Sequence, residues 1–151
     1  MKKAVLLWAA WLIAGPALAE SLETNRFYVQ QMIELAATND ELGVVAMQRM
    51  LEQNPRPAAI DPAAANAMLQ AGLAALRQDD TSAALTALQQ AVQQDPGNVE
   101  AANHLGLIYR KLGRFPEAER ALQQALSLQP TRAVAWFQLA QVYGLQHAVH
   151  R

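Results

Sequence analysis

Cysteine is absent from the 151 residues of the chain, which excludes disulfide bridges, thiol nucleophiles and thiolate metal sites. Aromatic residues make up only 6% of the chain, and the sparse β-branched residues argue against a sheet. Lysine occurs only at Lys2, Lys3 and Lys111. Without Lys2 and Lys3, the twelve basic residues fall to ten against thirteen acidic ones. This balance lacks the basic excess typical of nucleic-acid-binding proteins.

Motifs of catalysis and of metal binding are also missing. The chain has no phosphate-binding glycine-rich loop, no G-x-S-x-G elbow and no H-E-x-x-H pair. His147 and His150 are three residues apart but have no carboxylate near them, so we predict no metal site. His104 is interpreted as a solvated or hydrogen-bonded histidine, and no cofactor is expected. The sequence therefore predicts a protein that is not an enzyme.

Residues 1–19 have the pattern of a secretory signal peptide. Lys2 and Lys3 precede an apolar run over 4–14, and small residues at Ala17 and Ala19 suit a signal peptidase. Cleavage after Ala19 would leave a periplasmic or secreted chain. The alternative is an uncleaved anchor, although the run is short for a bilayer span and no second such run follows. We expect no stable membrane insertion after cleavage.

Helical periodicity dominates the rest of the chain, which is rich in Ala, Leu and Gln. Residues 20–53 hold two helical patterns separated by polar residues at 38–40. The segment 54–64 contains Pro55, Pro57 and Pro62, which predict a linker. Residues 65–151 form a third region, in which the sequence repeats.

Equivalent residues of the repeat are separated by a constant offset of 34 residues. The tetrapeptide LQQA at 88–91 recurs unchanged at 122–125. The same offset relates further pairs: Gly72 and Gly106, Ala84 and Ala118, Pro96 and Pro130, Ala101 and Ala135, Leu105 and Leu139, and Tyr109 and Tyr143. The copies are 65–98, 99–132 and a partial third over 133–151.

A helical period of about 34 residues resembles the tetratricopeptide repeat. The middle copy has the residues of the family pattern in order: Leu105, Gly106, Tyr109, Gly113, Phe115, Ala118, Leu122, Ala125 and Pro130. It departs from the pattern at Ala102, where the family has a bulky residue. The first copy matches less well, with Ala71, Ala75, Asp79 and Thr81 at pattern positions. The resemblance implies an all-α solenoid of about two and a half helical hairpins, preceded by an N-terminal helix pair.

In proteins of this family the first helices of the repeats line a groove that holds a peptide or protein. That resemblance implies these groove residues: Asn66, Leu69, Leu73, Leu76, Arg77, Glu100, Asn103, Leu107, Arg110, Lys111, Val134, Phe137, Gln141 and Leu145. They form an apolar floor with a basic patch, suited to a segment with apolar anchors and an acidic group. Alternatively, Leu69, Leu73 and Leu107 pack against the helices of 21–53.

The third copy lacks a second helix, so Trp136, Leu139 and Tyr143 are expected to form an exposed patch. This helix could end the solenoid, dock on a partner or a second copy, or belong to a longer protein. Two functions follow. The first is a periplasmic adaptor for envelope, pilus or secretion, or cytochrome assembly, a setting implied by resemblance. The alternative is a structural subunit that self-associates through this helix and forms a homo-oligomer.

Overall fold

A computed structural model describes the backbone of residues 21–149, and within these residues it contains seven α-helices and no strand. Helix α1 runs through residues 21–37. The other helices are α2 (Glu41–Gln53), α3 (Pro62–Arg77), α4 (Thr81–Gln94), α5 (Val99–Lys111), α6 (Phe115–Leu128) and α7 (Ala133–Val149). The predicted all-α class is confirmed. The signal peptide predicted for 1–19 lies outside the described residues.

The first three helical hairpins turn in the same way. The second residue after the end of the first helix has a positive φ, at Asn39 (56°), Asp79 (56°) and Gly113 (71°). The next backbone N–H then bonds back to the first helix over 2.8–2.9 Å, and these pairs are Asp40 with Leu35, Asp80 with Ala75, and Arg114 with Tyr109. This left-handed turn satisfies carbonyl groups that a helix end leaves without a partner.

Close approach of paired helices explains the glycines of the repeat. Gly72 of α3 lies under Leu88 of α4, and Gly106 of α5 lies under Leu122 of α6. Both leucines are fully buried. The helices α3 to α7 then stack in chain order, α4 against α5 and α6 against α7, as expected for a solenoid of hairpins.

The N-terminal hairpin, α1–α2, folds back onto α6 instead of standing in front of α3. Gln123 of α6 accepts from Arg26 Nε at 3.4 Å, and it donates to Gln30 Oε1 at 3.4 Å. Val29 and Met32 of α1 are buried in the same core as the repeat helices. Of the three leucines that the alternative interpretation packs against this hairpin, Leu69 is buried in the core, and Leu73 and Leu107 keep part of their surface exposed.

The proline-rich linker is bound along the ends of two repeat helices. The Arg56 guanidinium donates to the carbonyl oxygen of Leu128, the last residue of α6, at 3.3 Å. The backbone N–H groups of Ile60 and Asp61 donate to the carbonyl oxygen of Gln94, the last residue of α4, at 2.7 and 3.2 Å. Helix α3 begins at Pro62, three residues before the predicted start of the first repeat.

The patch predicted on α7 is not exposed, which corrects the sequence interpretation. Leu139 is only 1% exposed. Trp136 and Tyr143 are half-buried, and each has a polar partner: Trp136 Nε1 donates to the Pro130 carbonyl at 2.7 Å, and the Tyr143 hydroxyl donates to Glu119 Oε1 at 3.1 Å. Within the described residues, no helix combines the length and apolarity needed to cross a membrane.

Candidate partner-binding groove

The first helices of two successive repeats, α3 and α5, border a shallow depression of about 390 Å³, which we call the groove. Its lining residues are Leu73, Leu76, Arg77, His104, Leu107 and Lys111. Five of these six were predicted from the family resemblance. The three leucines are half-buried and form the apolar floor.

Two cations flank this floor at the same point of successive repeats. Arg77 and Lys111 are separated by one repeat, both are exposed, and each lies in the last turn of its helix. The partial negative charge of a helix C-terminus stabilises a cation there. Arg77 Nε also donates to the carbonyl oxygen of Leu73 at 3.3 Å, which holds its side chain along the groove. The groove therefore combines apolar contact area with two positive charges.

Helix α7 carries an apolar stripe that is exposed but does not line the groove. Val134, Phe137 and Leu145 are 54%, 65% and 40% exposed. Their spacings of three and eight residues place them on one face of the helix, and the half-buried Gln141 lies between them. These residues therefore form an exposed apolar surface in addition to the groove.

Two predicted groove residues are buried, and the prediction is wrong for them. Leu69 is 5% exposed and packs in the core, and Asn103 is 3% exposed with an Oδ1 atom that has no hydrogen-bond partner among the described residues. The remaining predicted residues lie outside the groove: Asn66 and Glu100 are exposed, and Arg110 is half-buried.

His104 lines the groove but was not predicted to do so. It precedes Leu107 by three residues and Lys111 by seven, so helical spacing alone could have assigned it to this face. Its Nε2 lies 3.7 Å from Glu100 Oε1. Burial lowers the pKa of His104 below its usual value; the Glu100 carboxylate opposes this effect, and the Arg132 guanidinium adds to it.

The part of the chain that the structure describes holds no group of side chains that could bind a metal ion. No three His, Cys, Asp or Glu residues come close enough there to hold a metal ion. His147 lies at the exposed end of α7, and His150 is outside the described residues. The groove itself presents apolar and cationic groups, an arrangement suited to binding.

A family model described as the tetratricopeptide repeat matches residues 46–99, 69–133 and 103–144. The chain belongs to the tetratricopeptide repeat family. The matches begin within α2, so the second helix of the N-terminal hairpin takes part in the family pattern. Repeat proteins of this family are generally non-catalytic scaffolds that bind other proteins.

One curated relative of this repeat protein is the cellulose synthase operon protein C of Pseudomonas fluorescens (strain SBW25). The two are 34% identical over 110 residues, which cover 60% of this chain. The matched part spans only 8% of that relative's length.

Solved structures confirm the solenoid fold. Two crystal structures of MamA match with TM-scores of 0.52 and 0.54 and sequence identities of 20% and 22%. The matches cover 81% and 93% of this repeat protein, and 82% and 75% of the MamA chains. The TPR domain of Arabidopsis OM64 matches with a TM-score of 0.51 at 18% identity, over 81% of this chain and 96% of that one.

Proposed function

We propose that this repeat protein is an exported, non-catalytic adaptor that holds a segment of another protein in the groove. The observation that carries the proposal is the pairing of an apolar floor at Leu73, Leu76 and Leu107 with the flanking cations Arg77 and Lys111. A segment with apolar anchors would bury surface on the leucines, and a carboxylate beside them would meet the cations. The exposed stripe of α7 would extend this contact.

The experiment compares charge reversals in the full chain. A double variant, Arg77→Glu plus Lys111→Glu, changes the groove, whereas Arg49→Glu changes an exposed site on α2 and serves as the control. A photo-reactive residue at Leu107 would covalently mark the bound partner in envelope extract. We expect the cross-link to disappear in the double variant and to persist with Arg49→Glu. Equal yields in all three proteins would reject the groove as the binding site.

Export is supported by the sequence of residues 1–19, with its basic start, apolar run and small residues at the cleavage site. The mass of the protein recovered from the periplasm or medium is the direct measurement. We expect a chain that begins at Glu20. A protein retained in the cytoplasm with Met1 intact would reject export.

The setting of the adaptor is proposed from its likeness to one relative. That relative is named for a cellulose synthase operon, so the machinery of exported polysaccharide synthesis is one place to search for the partner. Envelope, pilus or secretion assembly and cytochrome assembly stay alternative settings. Identification of the protein cross-linked at Leu107 distinguishes among them.

The alternative function, self-association, is favoured by a different surface from the one predicted on α7. Leu42, Val45 and Met50 of α2 are 86%, 42% and 41% exposed, and helical spacing groups them on one side. Light scattering after size exclusion, over a concentration series, measures self-association. A steady monomer would reject this function, and a dimer abolished by Leu42→Glu would support it.

A further inference from the structure

His104 is the one titratable group in the groove whose charge can change near neutral pH. Its side chain is about one quarter exposed, so it reaches the groove while most of the ring is packed against the protein. The Nδ1 atom is buried and has no hydrogen-bond partner within the described residues. Nε2 is 3.7 Å from Glu100 Oε1. The imidazole is therefore positioned between the groove and one carboxylate.

Charged groups surround the groove at His104. Arg77 of α3 and Lys111 of α5 line the same groove, and Glu100 lies one turn before His104 on α5. Arg132, at the residue before α7, also acts on His104. In the free protein the burial of the ring and the charge of Arg132 disfavour protonation of His104, and Glu100 favours it.

We propose that His104 couples the capture of an acidic segment in the groove to the uptake of a proton, so that the segment binds more tightly as the pH falls. This inference rests on the proposed function of the groove. Because Arg77, Lys111 and His104 line the same groove, a ligand carboxylate held by the two cations places negative charge near the imidazole, and this charge offsets the burial of the ring and the repulsion by Arg132. The protonated ring in turn attracts the Glu100 carboxylate and offsets its negative charge, which lessens the repulsion between Glu100 and the ligand.

The direction of the pH effect on ligand affinity follows from thermodynamic linkage between proton binding and ligand binding. A ligand that favours protonated His104 raises the pKa of His104 on binding, and protonation must then strengthen binding by the same factor. The gain is absent where the imidazole stays neutral in both states. It develops as the pH falls through the pKa of the complex and levels off below the pKa of the free protein.

The test uses a synthetic decapeptide with three leucines, three aspartates and blocked ends, and the full mature chain. Aspartate stays ionised over the range because its ordinary pKa is about 3.9. Fluorescence anisotropy gives Kd between about pH 7.5 and about pH 5.5. For one added charge at a partly exposed site, we expect affinity to rise about three- to tenfold as the pH falls.

Matched variants isolate the residue. His104→Gln is expected to bind the peptide with no dependence on pH, whereas His147→Gln, at an exposed site on α7, is expected to behave as the parent chain. A peptide with asparagine in place of aspartate should lose the dependence as well. An NMR titration measures the pKa of His104 independently, and saturating aspartate peptide should raise that pKa.

Two failures are distinguishable. If the parent chain binds the aspartate peptide equally at all pH values, or if His104→Gln keeps the full dependence, the inference about His104 is wrong and the groove proposal stands. If the parent chain binds neither peptide at any pH, the proposed capture of acidic segments is itself rejected, and the inference with it.

Discussion

The side chain of Leu122 lies so close to Gly106 that a β-carbon on Gly106 would stand 2.6 Å from the Cγ atom of Leu122. Leu122 is fully buried, so this side chain would have to shift within the core. We expect Gly106→Ala to lower the free energy of unfolding by about 1–3 kcal/mol, because overpacking forces side chains and backbone to shift. Urea denaturation measures the change.

Gly144→Ala is the matched control for this prediction. Gly144 also lies within a helix, but an added β-carbon there would have no neighbour within 4 Å. Alanine is the better helix former, so we expect a gain of up to about 1 kcal/mol. Losses of similar size in both variants would show that the tight fit at Leu122 is not the cause.

The fold-back of the N-terminal hairpin depends on Gln123, which is 4% exposed and bonded to Arg26 and Gln30. We expect Gln123→Ala to raise the hydrogen-exchange rates of α1 and α2 and to leave those of α3 and α4 unchanged. Gln89→Ala is the control, because Gln89 holds the same place in the preceding repeat and donates to the Tyr109 hydroxyl instead. Similar exchange in both variants would contradict the role given to Gln123.

Ionisation of Tyr143 is expected to lower the stability of the fold at alkaline pH. Burial, together with the charge of Glu119 and the hydrogen bond to it, raises the pKa of Tyr143 to about 12. The unfolded chain releases this proton near pH 10, so the contribution is complete below about pH 10 and is lost as the pH rises to about 12. We expect unfolding free energy to fall less between about pH 9 and about pH 11 in Tyr143→Phe than in the parent chain. If the unfolding free energy fell equally with pH in the parent chain and in Tyr143→Phe, the role given to Tyr143 would be refuted.

The turn at Asp79 offers a stabilising substitution. Asp79 has a φ of 56°, and Gly113 holds the equivalent place in the next repeat with a φ of 71°. Glycine adopts this left-handed region without steric cost, so we expect Asp79→Gly to raise the unfolding free energy by about 0.5–1 kcal/mol. Asp79→Val should lower it, because a β-branched residue is strained there. Calorimetric unfolding of the two variants gives the sign of each effect.

The repeated part of the fold could be predicted because its period is local. The repeat offset and the family resemblance predicted the helix pairs, and the resemblance implied five of the six groove residues. The fold-back of α1–α2 could not be predicted. A helical pattern shows that one face is buried, but it does not show which neighbour buries it. Gln89 and Gln123 make the point: the same tetrapeptide surrounds both, yet only Gln123 is covered by α1.

The burial of α7 escaped prediction for a related reason. Leu139 and Tyr143 were judged by the helix that the third repeat lacks, whereas α7 packs against α5 and α6 of the preceding repeat. Tyr143 bonds to Glu119, and Gln123 beside it meets Arg26 and Gln30 of α1, which lies far earlier in the chain. Position within a repeat therefore predicted the groove better than it predicted the end of the stack.

The bound linker also determines how the protein would respond to tension. Because Arg56 is attached to the end of α6 and Ile60 to the end of α4, a pull on α1 loads the middle of the solenoid before it loads α3. The N-terminal hairpin would not separate at its hydrogen bonds alone, because Val29 and Met32 are buried in the core shared with the repeat helices. A tether at the N-terminal end would therefore leave α3 without load until the hairpin and the linker had both separated from the repeats.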